Sequence, residues 1–527
     1  MGGVVGEKGH EAAAPRRPWW RDAVVYQIYP RSFASARSGV GDLDGIREHL
    51  GHLAWLGVDG FWLSPIYPSP MADFGYDVSD YCGVDPVFGD LGDFDRLLAA
   101  SHRVDLRVLL DWVPNHTSDR HPWFLESRSS RHNDKREWYV WRDGRDGPDG
   151  PEPNNWRAAF GGRAWTWDDR TGQRYLHLFL PQQPDLNWNN PEVERALHDV
   201  LRFWLDRGVD GFRADVVHLI GKDPSLPDQP AALAGVDLVG VHDDPRTHDL
   251  LRRIRAVIDD YPGDRTMVGE VNLPGARRIA PYYGRGDELP LVFDFALLSA
   301  PWDAAAWARI VQEAEDAFTP IDACPVWALS NHDQVRQRTR YGGSEDRARV
   351  AAFVLLTLRG TVFLYQGEEL GLENAVVPAD ERVDPGGRDG CRAPLPWTAQ
   401  AGYGWPATPW LPFPPDAGAR NPELLSRDPD SILHLYRRLI AARRATPALH
   451  GGRWTHVGAP AGVLAYDRVL DDDVRRVVAN FSGEPSRWRG DGAGWLVELD
   501  SSRPSMVPGA AWDGVVPPET AVLLRPG

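Results

Sequence analysis

Eight short apolar runs, regularly interrupted, most constrain what this chain can fold into. They cover residues 24–30, 58–66, 106–113, 208–217, 266–271, 291–298, 326–329 and 361–365. Helical patterns lie between them at 43–56, 91–100, 192–207, 249–259, 303–317 and 345–358, and a last one at 430–445. Strand, helix, strand at this spacing predicts parallel βα units, and eight such units close a (β/α)8 TIM barrel. Two regions break the rhythm. The Trp-, Asp-, Gly- and Pro-rich interval 116–190 is too long for a structureless loop and predicts a small inserted domain after strand 3. Beyond residue 445 the pattern changes to short alternating runs, which predicts a C-terminal antiparallel β-sandwich. The expected division is a loose tail over 1–18, a barrel over 19–116 and 191–446, an insertion over 117–190 and a sandwich over 447–527.

In such a barrel functional side chains sit where strands end. Strand two leads to Asp73-Phe74-Gly75-Tyr76-Asp77, and strand three ends in Asp111-Trp112-Val113-Pro114-Asn115-His116. Strand four ends in Arg213-Ala214-Asp215, strand five in Gly269-Glu270-Val271-Asn272, and strand seven in Asn331-His332-Asp333. Alternation along a strand puts Arg213 and Asp215 on one face and Phe212, Ala214 and Val216 on the other. Buried charges there are costly unless paired. They form either a structural ion pair or a carboxylate kept ionised beside a substrate. Five charged strand ends in one ring are hard to explain by packing.

Composition narrows the partners. A net charge of −17 argues against nucleic acid. The 23 tryptophans offer flat apolar faces of the kind that sugar rings cover. Cys82, Cys324 and Cys391 are scattered and odd in number, so neither a disulfide framework nor a zinc site is expected. No run approaches the ~20 apolar residues of a membrane span and residues 1–20 hold no leader-like apolar stretch, so the chain reads as soluble and cytoplasmic.

The blocks Asp111-Trp112-Val113-Pro114-Asn115-His116, Gly211-Phe212-Arg213-Ala214-Asp215, Val268-Gly269-Glu270-Val271 and Ser330-Asn331-His332-Asp333 resemble the four conserved regions of glycoside hydrolase family 13, the α-amylase family. Gly60-Phe61-Trp62-Leu63-Ser64-Pro65, Gly367-Glu368-Glu369 and Gly387-Arg388-Asp389-Gly390-Cys391-Arg392 match as well, and Gln183-Pro184-Asp185-Leu186-Asn187 is similar to the oligo-1,6-glucosidase and α-glucosidase branch. The resemblance implies a retaining exo-α-glucosidase acting on a small α-glucoside. Asp215 would be the nucleophile with Arg213 favouring its ionised form, Glu270 the acid/base, and Asp333 the third carboxylate. His116 and His332 would bind hydroxyls, Tyr76 would lie under the sugar, and Asp73 with Arg388 would close the pocket, Arg392 being an alternative to Arg388. Asp111 would orient Arg213. His218 reads equally as packing or contact, and His102, His121 and His132 read as surface residues. A glucosyltransferase or isomerase using the same site is the alternative. A scaffold that has lost the carboxylates is a further rival, although all three are present here.

Departures from the family pattern are informative. Many relatives bind calcium in an acidic loop after strand one, but Ser35-Ala36-Arg37-Ser38-Gly39-Val40-Gly41-Asp42 offers one carboxylate and an arginine, so no metal is expected there, and no cofactor. The stretch 372–388 looks short, which implies an open aglycone side. Val216, directly after the nucleophile, accompanies tolerance of α-1,6 linkages in this branch, where alanine or threonine accompanies α-1,4 preference. A monomer or small homo-oligomer is expected.

Overall fold

The computed structural model describes residues 17–143, 149–231, 243–488 and 494–527. Most of the tail expected over 1–18 lies outside them. Eight parallel strands close a barrel in sequential order: Val24–Ile28, Gly60–Leu63, Arg107–Trp112, Gly211–Ala214, Thr266–Gly269, Leu291–Asp294, Val326–Ala328 and Thr361–Tyr365. The last pairs with the first, Val24 opposite Val362 and Gln27 opposite Tyr365. The strands are buried on both faces, as a parallel sheet wrapped by helices must be. Val25, Trp62, Leu109, Val268, Phe293 and Phe363 fill the lumen, while Val24, Tyr26, Phe212 and Ala214 join the layer under the helices.

Where elements differ from expectation, a local bond accounts for it. The helix expected over 43–56 is two, Leu43–Glu48 and Leu50–Leu56. The His49 ring takes the Gly45 carbonyl at 2.8 Å, and the His49 N–H turns instead to Ile46. The run 291–298 is strand only to Asp294, whose carboxylate accepts from Ala296 N–H and starts the 3-10 turn Phe295–Leu298. The run 208–217 is strand only over Gly211–Ala214, and the chain turns at Val216 with φ +35°.

Between strands three and four stands a three-stranded antiparallel sheet, Trp141–Asp143, Gln173–Leu176 and Trp165–Asp168 in spatial order. C-terminal to the barrel is a six-stranded antiparallel sheet with a separate two-stranded ribbon. Two buried arginines lie where this region meets the barrel, Arg443 on the preceding helix Ile432–Ala445 and Arg468 on the strand Val463–Leu470. Arg443 donates to the carbonyls of Leu356, Leu358 and Gly360, and Arg468 to those of Thr357, Leu449 and Gly452. Among the described residues no helix is long and apolar enough to cross a membrane.

Candidate active site

Strand register assembles the site. Asp111 lies opposite Arg213 on neighbouring strands, and Arg213 opposite Val268. One step past the strand ends the ladder continues, with Asp215 N–H donating to Trp112 and Glu270 N–H to Ala214. Asp111, Asp215 and Glu270 thus converge on Arg213. Its Nη1 donates to Asp111 Oδ1 at 2.9 Å and to Asp215 Oδ1 at 2.6 Å, and its Nη2 donates to Glu270 Oε2. The guanidinium lies over the Trp62 ring at 5.0 Å, on top of the lumen core.

One cation is thus shared among three buried carboxyls. Burial raises Asp215 well above the usual carboxylate range; Arg213 opposes the shift and Glu270 and Asp111 add to it. Burial likewise raises Asp111 to about 6 against the pull of Arg213. The expected contact of Arg213 with Asp215 is present and favours the ionised form, but the guanidinium is shared with Asp111 and Glu270, and burial still leaves Asp215 raised on balance.

Asp333 is in the opposite situation. Burial works against its charge, but Arg388 Nη1 at 2.9 Å and Arg392 Nη2 at 3.0 Å hold its carboxyl well below the ordinary range. Arg388 also reaches Asp73 Oδ1 at 2.5 Å, so Asp73 and Asp333 are clamped by one guanidinium. Arg392 does not replace Arg388; both serve Asp333. Asp384, to which no role was given from the sequence, accepts from both arginines at 2.7 and 3.0 Å. Its place in the short 372–388 stretch was the only signal.

The two histidines are neutral. Burial, reinforced by Lys222, pushes His116 down to about 3, and burial pushes His332 down to about 3. Gln183 Nε2 donates to Asp73 at 3.0 Å and lies 3.1 Å from His116 Nε2, which gives the Gln-Pro-Asp-Leu-Asn block a physical task. His332 is held between Gln27 Nε2 at 2.7 Å and Tyr76 Oη at 2.5 Å, and Tyr76 passes its own proton toward Asp111 Oδ2 at 3.1 Å. The Tyr76 and His332 rings stack with centroids 5.4 Å apart.

A cavity of about 380 Å³ opens over this assembly. Asp73, Tyr76, His116, Asp215, Val216, Glu270, Asp333 and Arg388 all line it, together with Asn272, Gln334 and an apolar group that includes Phe160, Phe179, Phe295 and Leu298. Arg213 and His332 do not: they lie behind the wall and act on the residues that form it. His218 is buried, its Nδ1 3.2 Å from the Glu270 carbonyl. His121, expected on the surface, is buried and caps the helix Pro122–Ser127 through the N–H of Trp123; His102 is half-buried against Asp210. In the loop after strand one, Asp42 accepts from Ser35 Oγ and from the N–H groups of Ala36 and Gly45, so its carboxylate serves as a helix cap.

Residues 27–452 match the family model described as the α-amylase catalytic domain. A probable α-glucosidase of Rhizobium meliloti (strain 1021) is 44% identical over 503 residues, 89% of this chain and 90% of that protein. The chain belongs to the α-amylase family. Within it the chain falls in the α-glucosidase and oligo-1,6-glucosidase branch: an oligo-1,6-glucosidase of Parageobacillus thermoglucosidasius is 38% identical over 520 residues, covering 88% of this chain and 91% of that one. The crystal structure of the α-glucosyl transfer enzyme XgtA superposes with a TM-score of 0.88 at 39% identity, over 97% of this chain and all of that one. An α-amylase-family barrel with this clamp makes a specific demand on Asp384. Asp384→Ala is expected to free both arginines, raising KM for maltose about tenfold with a smaller fall in kcat, the result for a clamp that would bind sugar rather than break bonds. An unchanged KM would show that Asp73 and Asp333 hold the arginines unaided.

Proposed function

We propose that the chain is a retaining exo-α-glucosidase that removes terminal glucose from short α-glucosides. Its family and relatives make it a glycoside hydrolase of α-glucosidase type. The observation that carries the finer reading is the sharing of Arg213 by Asp215 and Glu270. Neighbouring nitrogens of one planar group favour the short carboxyl separation of a retaining pair, ~5–5.5 Å, over the wider gap of an inverting one.

The chemistry then follows from the charges. Asp215 attacks the anomeric carbon as the bond to the aglycone oxygen breaks, and Glu270 gives that oxygen its proton. Attack needs Asp215 in its ionised form, which the contact with Arg213 favours. Water next attacks the glucosyl ester and returns a proton to Glu270. Asp333, firmly anionic, supports the positive charge that develops on the sugar. Asp73 and Arg388 line the cavity, and their clamp with Asp384 supports a pocket blocked at one end and release of one glucose at a time. All three carboxylates line one cavity, which supports catalysis over a scaffold role.

Digestion of maltose, isomaltose, sucrose and trehalose tests this reading. Glucose as the dominant new product at modest substrate is expected, and dominance of new oligosaccharides would defeat the hydrolase assignment. The transfer reading has in its favour the apolar part of the cavity wall and the similarity to XgtA. Linkage tolerance is assigned to Val216 on the family resemblance. Val216→Thr is expected to lower the isomaltose-to-maltose ratio of kcat/KM several-fold; an unmoved ratio would release Val216 from that role.

A further inference from the structure

Glu270 meets hydrogen-bond donors on both oxygens. Arg213 Nη2 and, at 3.2 Å, the Val216 N–H reach Oε2, while Asn272 Nδ2 donates to Oε1 at 3.0 Å. A guanidinium and a backbone N–H can only donate, so Oε2 is fixed as an acceptor. The proton that Glu270 delivers must therefore sit on Oε1, the oxygen beside Asn272. As that proton leaves, negative charge grows on Oε1, where the Asn272 N–H already points.

Two further observations give Asn272 a role of its own. Its side chain is exposed and lines the cavity, so it is not held for packing. Among the described residues its side chain hydrogen-bonds to Glu270 alone. Accepting the assignment of Glu270 as acid/base, we propose that Asn272 is a positioning residue: it aims Oε1 at the aglycone oxygen and stabilises the carboxylate forming there. A donor meeting charge that develops only in the transition state raises the rate of glucosylation. The same donor makes Oε1 a poorer base, so it does not assist the hydrolytic half of the cycle.

The leaving group separates this role from a structural one. Aryl α-glucosides from phenyl to 2,4-dinitrophenyl vary the need for the acid's proton without presenting sugar hydroxyls to the aglycone side. For Asn272→Ala, kcat/KM for the phenyl glucoside is expected to fall about tenfold, part of the ~10²–10⁴ that general acid catalysis contributes. For the dinitrophenyl glucoside kcat/KM should stay within about twofold and kcat should not fall. Glu270→Gln is run beside it and should show the same trend more steeply. An equal loss across the series for Asn272→Ala, or a rise in KM alone, overturns the proposal while leaving Glu270 as the acid. A flat series for Glu270→Gln removes the acid assignment itself, and the proposal with it.

Discussion

Asp215→Asn is expected to lower turnover of p-nitrophenyl α-glucoside by ~10⁴-fold or more, about 5.5 kcal/mol of barrier at 1.36 kcal/mol per decade. A carboxamide cannot form the glucosyl ester, and the good leaving group makes the measurement insensitive to Glu270. The substitution keeps the shape and removes one of three like charges around Arg213, so the melting temperature should hold or rise. Loss of activity with a preserved melting temperature separates lost chemistry from lost fold. A slow fluorinated α-glucosyl fluoride should leave one glucosyl group on the wild-type protein and none on the variant. Equal rates for the two proteins would remove Asp215 as nucleophile.

Arg213→Leu should have the largest effect on stability. It leaves three buried carboxyls without a cation, and breaking a buried pair typically costs 3–5 kcal/mol. The pH dependence has a definite sign. Asp111 ionises near 6 in the folded protein and near ~3.9 when unfolded, so below ~4 it has no effect on stability. As pH rises from ~4 to about 6 the unfolded chain ionises first and the fold loses a few kcal/mol, a loss constant at higher pH. Without Arg213 the folded carboxyls are harder still to ionise, and the loss extends upward. The melting temperatures of wild type and variant should therefore differ most near pH 8 and least near pH 5. Asp333 has the opposite sign: its depressed pKa stabilises the fold above ~4, and that contribution fades as pH falls. A difference between wild type and Arg213→Leu that ignores pH would mean that the three carboxyls do not share this cation.

The sequence carried the barrel because its evidence is local and repeated: eight apolar runs, each bounded by a helical pattern. Strand ends were less legible. Nothing in residues 208–218 announces that a valine adopts φ +35°, a costly conformation for a β-branched residue, since that turn is tied by a bond from Val216 N–H to Glu270, 54 positions away. Asp215 and Glu270 were legible as candidates because each directly follows a barrel strand, and Asp333 because it closes a charged loop soon after one. Asp384 was missed because it acts from a loop with no periodicity, on arginines that a sequence shows only as neighbours. The balance of charge is less legible for a related reason: Arg213-x-Asp215 is visible as a pair, but that Asp111 and Glu270 claim the same guanidinium depends on the register of three strands.

Closure of the barrel between its first and last strands has a consequence for biosynthesis. Val24 and its partner Val362 are 338 positions apart. At roughly 5–20 residues per second, the free edge of Val24–Ile28 waits on the order of 20–70 s for the strand that covers it. Pairing with Gly60–Leu63 occupies only its other side. Arg443, which donates to the Asp22 carbonyl just before that first strand and to Gly360 just before the last, is translated later still. Nascent chains cut off between residues 365 and 443 should therefore contain every barrel strand yet lack this latch, and be the ones that proteases and chaperones recognise longest.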